Sequence, residues 1–232
     1  MMLTPLEWEA LSLSLRVSGV AVAAILLPGL GMAYVLARFD FPGKTLLDGI
    51  VHLPLVLPPV VVGYLLLVSL GRQGTLGQWL HETLGVSLPF TWQGAALAGA
   101  VMAFPLLVRA VRLSLESVDR KLEEAARTLG ASRWKTFLTV TLPLILPGIL
   151  TGGVLAFARS LSEFGATITF ASNIPGETRT LPLALYSLVQ TPGKEAAAAR
   201  LCVISVIVAL IALVASEWLA RRARRRLEGR HA

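Results

Sequence analysis

Five stretches of this chain run without a charged side chain for long enough to cross a lipid bilayer, and that pattern decides which folds are open to it. Val17–Ala37 is uncharged for 21 residues, Gly49–Gly71 for 23 with only His52 interrupting it, Thr83–Val108 for 26 and Thr136–Ala158 for 23. Leu201–Ser216 adds 16 more and extends naturally through Trp218 to Ala220. About 20 apolar residues in a helix cover the ~30 Å of bilayer hydrocarbon. The composition agrees, with 55% hydrophobic and 15% charged residues among 232, against roughly 25% charged in a soluble domain. The expected fold is an all-α integral membrane protein, one domain over 1–232, with five spans at about 13–37, 48–70, 92–114, 140–168 and 201–220. Pro89 sets the start of the third span near Trp92. Two apolar pieces, Phe164–Gly176 and Thr180–Gly193, are too short to cross alone. The first reads as the outer end of span four, the second as a short helix that dips or lies at the surface.

Lys and Arg fix the orientation, because they collect on the cytoplasmic side of short loops. If five spans alternate, Arg38 and Lys44, the seven basic residues between Arg109 and Lys135, and the six from Arg221 to Arg230 all fall on one side. The other side receives only Arg16, Arg72, Arg179, Lys194 and Arg200, with Arg159 inside span four. The N-terminus is therefore expected outside, and the C-terminus and the 116–139 loop in the cytoplasm. Glu7 and Glu9 precede any basic residue, so the start lacks the basic region of a secretory signal. The net charge of +7 invites a nucleic-acid reading. Its distribution favours arginines that meet anionic headgroups at the membrane surface. A single cysteine, Cys202, excludes an intramolecular disulfide, and His52, His81 and His231 have no ligand spacing. No metal site is expected.

The 116–139 loop is amphipathic. Val118, Leu122, Ala125, Ala126 and Leu129 recur at helical spacing, while Glu116/Arg120 and Glu123/Arg127 are acid-to-base pairs four residues apart on the other side. Gly130 suits a left-handed cap, and Ser132 can start a second helix leading into span four. This predicts helix, sharp turn, helix. Periodicity alone fits equally a helix lying on lipid and a rigid handle for a partner. Gly43-Lys44-Thr45 has the ending of a phosphate-binding loop, but Arg38 stands where its first glycine belongs. With no nucleophile or acid–base cluster either, the chain reads as a non-enzyme with no catalytic residue.

Within the spans, Pro54, Pro58 and Pro59 remove backbone donors from span two. Broken backbone at membrane depth is tolerated only against protein or a water-filled cavity. The residues allow either a kink filled by a neighbour or a pore lining. In span four, Arg159 and Glu163 lie four apart and can pair. Intramembrane charges are functional candidates by default, though a structural pair holding span four against span three fits as well. Ser160, Ser162 and Thr167 offer neutral donors along a path, and Gly165 and Ala166 permit close helix packing. Arg109 and Arg112 close span three at the cytoplasmic side, where they can draw an anion from the pore or anchor the helix, and anchoring is the preferred reading.

Glu124-Ala125-Ala126, three residues, Gly130, nine residues, Val140, one residue, Leu142-Pro143 resembles the coupling loop of ABC-importer permeases, with valine for the family's isoleucine. The resemblance makes Glu124, Ala125, Ala126, Gly130, Leu142 and Pro143 the ATPase-coupling residues. Further runs look like molybdate permeases: Phe41 to Lys44, Leu53 to Tyr64, Arg159 to Thr167 and Ser172 to Thr180. They imply a type I importer permease in the bacterial inner membrane, working as a homodimer with two cytoplasmic ATPase subunits. ATP and magnesium belong to those subunits, and this chain has no cofactor of its own. A soluble molybdate-binding protein would deliver the ion from outside, and alternating access would carry it. Pro54, Pro58, Pro59, Ser160, Ser162, Glu163, Gly165 and Thr167 become translocation-pathway candidates. The competing expectations are a permease for tungstate or sulfate, and an ion-coupled secondary transporter, which usually shows inverted repeats not found here. Since selectivity can reside in the binding protein, no high-affinity molybdate site is expected within the spans.

Overall fold

Each apolar run becomes helix, because a helix satisfies its own backbone where water is absent. The computed structural model describes residues 4–228, and among them every regular element is helical. In chain order these are α1 (Pro5–Arg38), α2 (Lys44–Val56), α3 (Pro59–Leu70), α4 (Thr75–Leu84), α5 (Trp92–Glu116), α6 (Arg120–Thr128), α7 (Arg133–Thr136), a π-helical segment (Phe137–Thr141), α8 (Leu142–Leu161), α9 (Gly165–Phe170), α10 (Leu181–Val189) and α11 (Glu195–Glu228). The helices α1, α5, α7 with α8, and α11 are each long and apolar enough to cross a membrane. The pair α2–α3 is apolar and long enough only when taken together, and is bent by 113° at its break, the geometry of a broken span or a re-entrant loop.

The span boundaries differ from the sequence reading at three places, each for a local reason. The first helix starts at Pro5 rather than near residue 13, because Thr4 and Glu7 form a reciprocal capping box that initiates it. The last runs from Glu195 to Glu228 as one helix of 34 residues. Span four is not continuous over 140–168. It joins the π-helical segment at its start, ends at Leu161, and gives way to the separate helix α9. Of the basic tail, Arg221 pairs with Glu217 at 2.7 Å; the side chains of Arg222 to Arg226, as well as Arg230 and His231, lie outside the described residues.

A trio of α1, α5 and α8 forms the centre of the bundle. Helix α5 is its most buried member, and its run of Ala95, Ala96, Ala98, Gly99, Ala100 and Ala103 explains why. Small side chains let helix backbones approach closely, which matters in lipid, where apolar burial alone gives helices no reason to associate. Ala21, Ile25 and Leu36 of α1 meet Leu107, Val108 and Val111 of α5 and Ile145 and Ala156 of α8 in one buried cluster. On α11, by contrast, Val206, Ile207, Leu210, Ile211 and Val214 are all at least half exposed. That helix turns an apolar flank outward from the single chain.

The ends of the bundle are tied by long-range polar contacts. Glu7 is buried and receives Arg200 Nη2 at 2.9 Å, joining the start of α1 to that of α11. Nearby, the Leu181 amide donates to Ser14 Oγ at 2.7 Å, seating α10 on α1. At the opposite end of α1, Gly43 turns the chain at φ +90° into α2. Lys44 lies 2.8 Å from Asp40 there, and its ammonium holds that exposed carboxyl below the ordinary carboxylate range.

Candidate coupling loop and pathway

Helix α6 is built as the loop spacing predicts. Asp119 caps it by accepting from the Lys121 amide at 2.9 Å. At the other end Gly130 adopts φ +85°. The Ala131 amide reaches the Ala126 carbonyl at 3.1 Å and the Gly130 amide that of Arg127 at 2.9 Å. This is the paired bonding of a glycine-terminated helix, and a side chain at Gly130 would meet strain even though the space around it is open. Ser132 then accepts from Lys135 N at 3.2 Å and starts α7. Glu124, Ala125 and Gly130 are exposed, and Ala126 is half-buried. Leu122 is 50% exposed, Leu129 89% and Trp134 68%. Leu122, Ala125 and Leu129 of the predicted stripe are therefore open in the single chain, whereas Val118 at its head is buried in the core cluster.

The expected pairs Glu116/Arg120 and Glu123/Arg127 do not form. Helix α5 ends at Glu116 and α6 restarts after the Asp119 cap, so Arg120 is not one turn above Glu116. Glu116 instead pairs with Arg112 at 2.8 Å. Glu123 turns inward and binds Arg38 of α1 at 2.8 Å and Thr141 Oγ1 at 2.7 Å. Periodicity missed this contact because Arg38 lies 85 positions away in sequence.

The end of the motif coincides with the π-helical segment. Pro143 has no amide hydrogen, and its ring disfavours a regular turn beneath it. Just ahead of it, the Leu142 amide bonds to the carbonyl of Phe137, five residues back. Single π turns inside helices recur at functional places. Phe137 stacks on Trp134 at 5.8 Å and meets Tyr34 of α1 edge-on at 5.7 Å.

The two broken spans meet. Pro54 lies within α2, and the last bond of that helix runs from Leu57 N to Leu53 O at 3.1 Å. Pro58 and Pro59 then start α3 in a new direction. Val56, at 82% exposure, projects from the break. Span four breaks at Ser162–Phe164, where Glu163 Oε1 accepts from Ala166 N at 2.8 Å and starts α9. Its other oxygen receives Arg159 Nη1 at 2.6 Å, so the Arg159–Glu163 pair bridges the break within span four and not to span three. Glu163 is 3% exposed. Helix α9 lies against α3 with no room to spare. A Cβ on Gly165 would sit 2.8 Å from Pro59 Cβ, and one on Gly63 would sit 2.7 Å from Ala166 O. Thr167 is buried beside this junction, whereas Ser162 is exposed and bonded to its own helix at Arg159 O. Ser160 is buried facing Gly99 of α5, so it belongs to the helix interface.

Arg112 lies 3.1 Å from Asp48 of α2. It shares with Arg109 and His52 a cavity of about 290 Å³, and Arg109 also lines a groove of about 730 Å³ between α5 and α8. The Ser172–Thr180 run, noted in the sequence only for its family likeness, forms a closed loop. The 172–180 loop is held by Thr178, fully buried, whose hydroxyl accepts from Ile174 N at 2.9 Å and donates to Ser172 O at 3.3 Å. Ser172, whose carbonyl receives that bond, takes φ +67°.

These features together, helices spanning apolar runs, an exposed helix–turn–helix and paired helix breaks, describe a transport permease. The chain belongs to the family of binding-protein-dependent transport system inner membrane components, whose pattern it matches over residues 25–225. Among its relatives, the Molybdenum transport system permease protein ModB of Escherichia coli (strain K12) is 64% identical over 226 residues, 97% of this chain and 99% of that one. The protein of the same name from Haemophilus influenzae is 57% identical over 222 residues, 96% of this chain and 97% of that one. A chain from the crystal structure of a bacterial ABC transporter involved in the import of the acidic polysaccharide alginate superposes with a TM-score of 0.75 at 18% identity, covering 95% of this chain and 80% of that chain. That likeness is one of fold, and the expected importer-permease fold is the observed one.

Proposed function

We propose that this chain is the membrane-spanning subunit of an ATP-driven importer that carries molybdate into the cytoplasm by alternating access. The observation that carries the coupling half of this reading is helix α6, whose Leu122, Ala125 and Leu129 stand exposed beside Glu124 on a glycine-terminated turn. An apolar stripe on a short charged helix suits a protein groove, and the resemblance of the E-A-A…G run to the importer coupling loop supports a groove on a separate ATPase. Two such ATPases bind ATP and magnesium. The α6 face is cytoplasmic, with the N-terminus outside and the C-terminus inside the bacterial inner membrane. The oxyanion is delivered by a soluble molybdate-binding protein at the outer face.

A second copy of the chain completes the pathway. The exposed break around Val56 and Pro58 puts backbone polar groups at membrane depth, where lipid is not an acceptable neighbour. A closed two-fold pair is the commonest oligomer and places two such breaks around a shared axis. Pro54, Pro58, Pro59, Gly165 and Thr167 line or shape that route, Ser160 and Ser162 support its walls, and Glu163 sets its geometry.

Copurification from native membranes, followed by uptake in vesicles, tests the reading. ATPase chains and a second copy should stay with the permease. Molybdate uptake should require ATP and the binding protein, with tungstate and sulfate as competitors. Uptake that survives ATP depletion while the membrane potential is maintained would replace this reading with ion-coupled transport.

A further inference from the structure

The handle faces a mechanical problem. No residue of α6 is buried, so apolar packing does not fasten it to the spans. Nine residues are also too few for a helix to hold itself firmly in water, where fewer than about 12–15 are marginal. A push on such an element would be absorbed by its own slack unless something locks it to the bundle.

One carboxylate does so. Glu123 Oε1 accepts from Arg38 Nη2 at 2.8 Å and from Thr141 Oγ1 at 2.7 Å. Arg38 is the last residue of α1, and Thr141 ends the π-helical segment immediately before α8. A single oxygen of the handle thus joins two members of the central trio. The contact is sheltered, with the Arg38 and Glu123 side chains 10% and 14% exposed. Shielded, charge-assisted bonds hold geometry far better than ion pairs in open water. Arg38 Nε is buried without a partner among the described residues, so the guanidinium depends on Glu123 for compensation. The neighbouring Glu124 is exposed and free to face a partner.

We propose that Glu123 is the pin of the coupling loop, a positioning residue that transmits motion of α6 to α1 and α8 through Arg38 and Thr141. This rests on the reading that α6 docks the ATPases. Without the pin, the ATPases still dock and hydrolyse ATP, but the stroke no longer reaches the spans.

The test uses the whole transporter, reconstituted with its ATPases and binding protein, and reads molybdate imported per ATP hydrolysed. Glu123→Gln and Arg38→Gln should each lower that ratio roughly tenfold, within the range of coupling free energies between sites, while the ATPases still copurify. Thr141→Val, a milder change, should lower it less. The double exchange Glu123→Arg with Arg38→Glu should recover much of the loss, the signature of a direct pair. A ratio unchanged in Glu123→Gln overturns the proposal, as does loss of ATPase binding in that variant, which would make Glu123 part of the docking surface. If the unaltered chain retains no ATPase at all, the coupling reading itself fails, a result distinct from either.

Discussion

Glu163 shows how a single residue can look functional in sequence and acquire a more definite task in three dimensions. Both of its oxygens are engaged locally, one on Arg159 and one on the Ala166 amide in the first turn of α9. Replacing it by Ala uncaps α9 and leaves the partly exposed Arg159 without its partner, a loss below the roughly 3 kcal/mol of a fully buried pair. Glu163→Gln keeps an acceptor for Ala166 N and should lose less. Thermal unfolding in detergent should rank the wild type first, Glu163→Gln second and Glu163→Ala last. Equal melting of all three would remove the structural role. The pairing itself was legible, because residues four apart on a helix are neighbours wherever the helix lies. The helix break it bridges was not, since Ser162-Glu163-Phe164 contains neither proline nor glycine and breaks only because α9 is drawn against α3 through Gly165.

At the scale of elements, local chemistry was readable and remote contact was not. The Pro58–Pro59 break and the left-handed turn at Gly130 follow from single-residue constraints on φ and on backbone donors. The tether from Glu123 to Arg38 has no local trace, because the nearer Arg127 satisfies the same spacing rule and only the packing of α1 against the loop decides between them. For the turn, Gly130→Pro is incompatible with φ +85° and removes the amide bonded to Arg127 O. It should abolish uptake while the protein still inserts. Glu124→Lys reverses an exposed charge without touching the fold, and should likewise abolish uptake with membrane levels unchanged. Immunoblots of membranes beside uptake assays check both, and normal transport by either well-inserted variant would remove the coupling role of the loop.

For the whole molecule, the open apolar flank of α11 and the exposed break of span two are surfaces that lipid or a protein neighbour must cover. The pathway candidates contribute hydroxyls and backbone rather than a cage of cations, which agrees with selection by an external binding protein. Purified permease should therefore bind molybdate far more weakly than a dedicated binding protein does, as equilibrium dialysis would measure; comparable affinity would contradict the division of labour. The bonding of Leu142 to Phe137 has one more consequence. A turn widened by one residue changes the angular phase between the helix on its N-terminal side and the helix on its C-terminal side, by about 100° for each residue at 3.6 per turn. Deleting Thr139, whose exposed side chain bonds only to Lys135 O, would restore an ordinary helix, yet swing α6 around the axis of α8 and part Glu123 from Arg38 and Thr141. Such a protein should still insert, while ATPase copurification and uptake are both lost, like a crank keyed one spline out of line with its shaft.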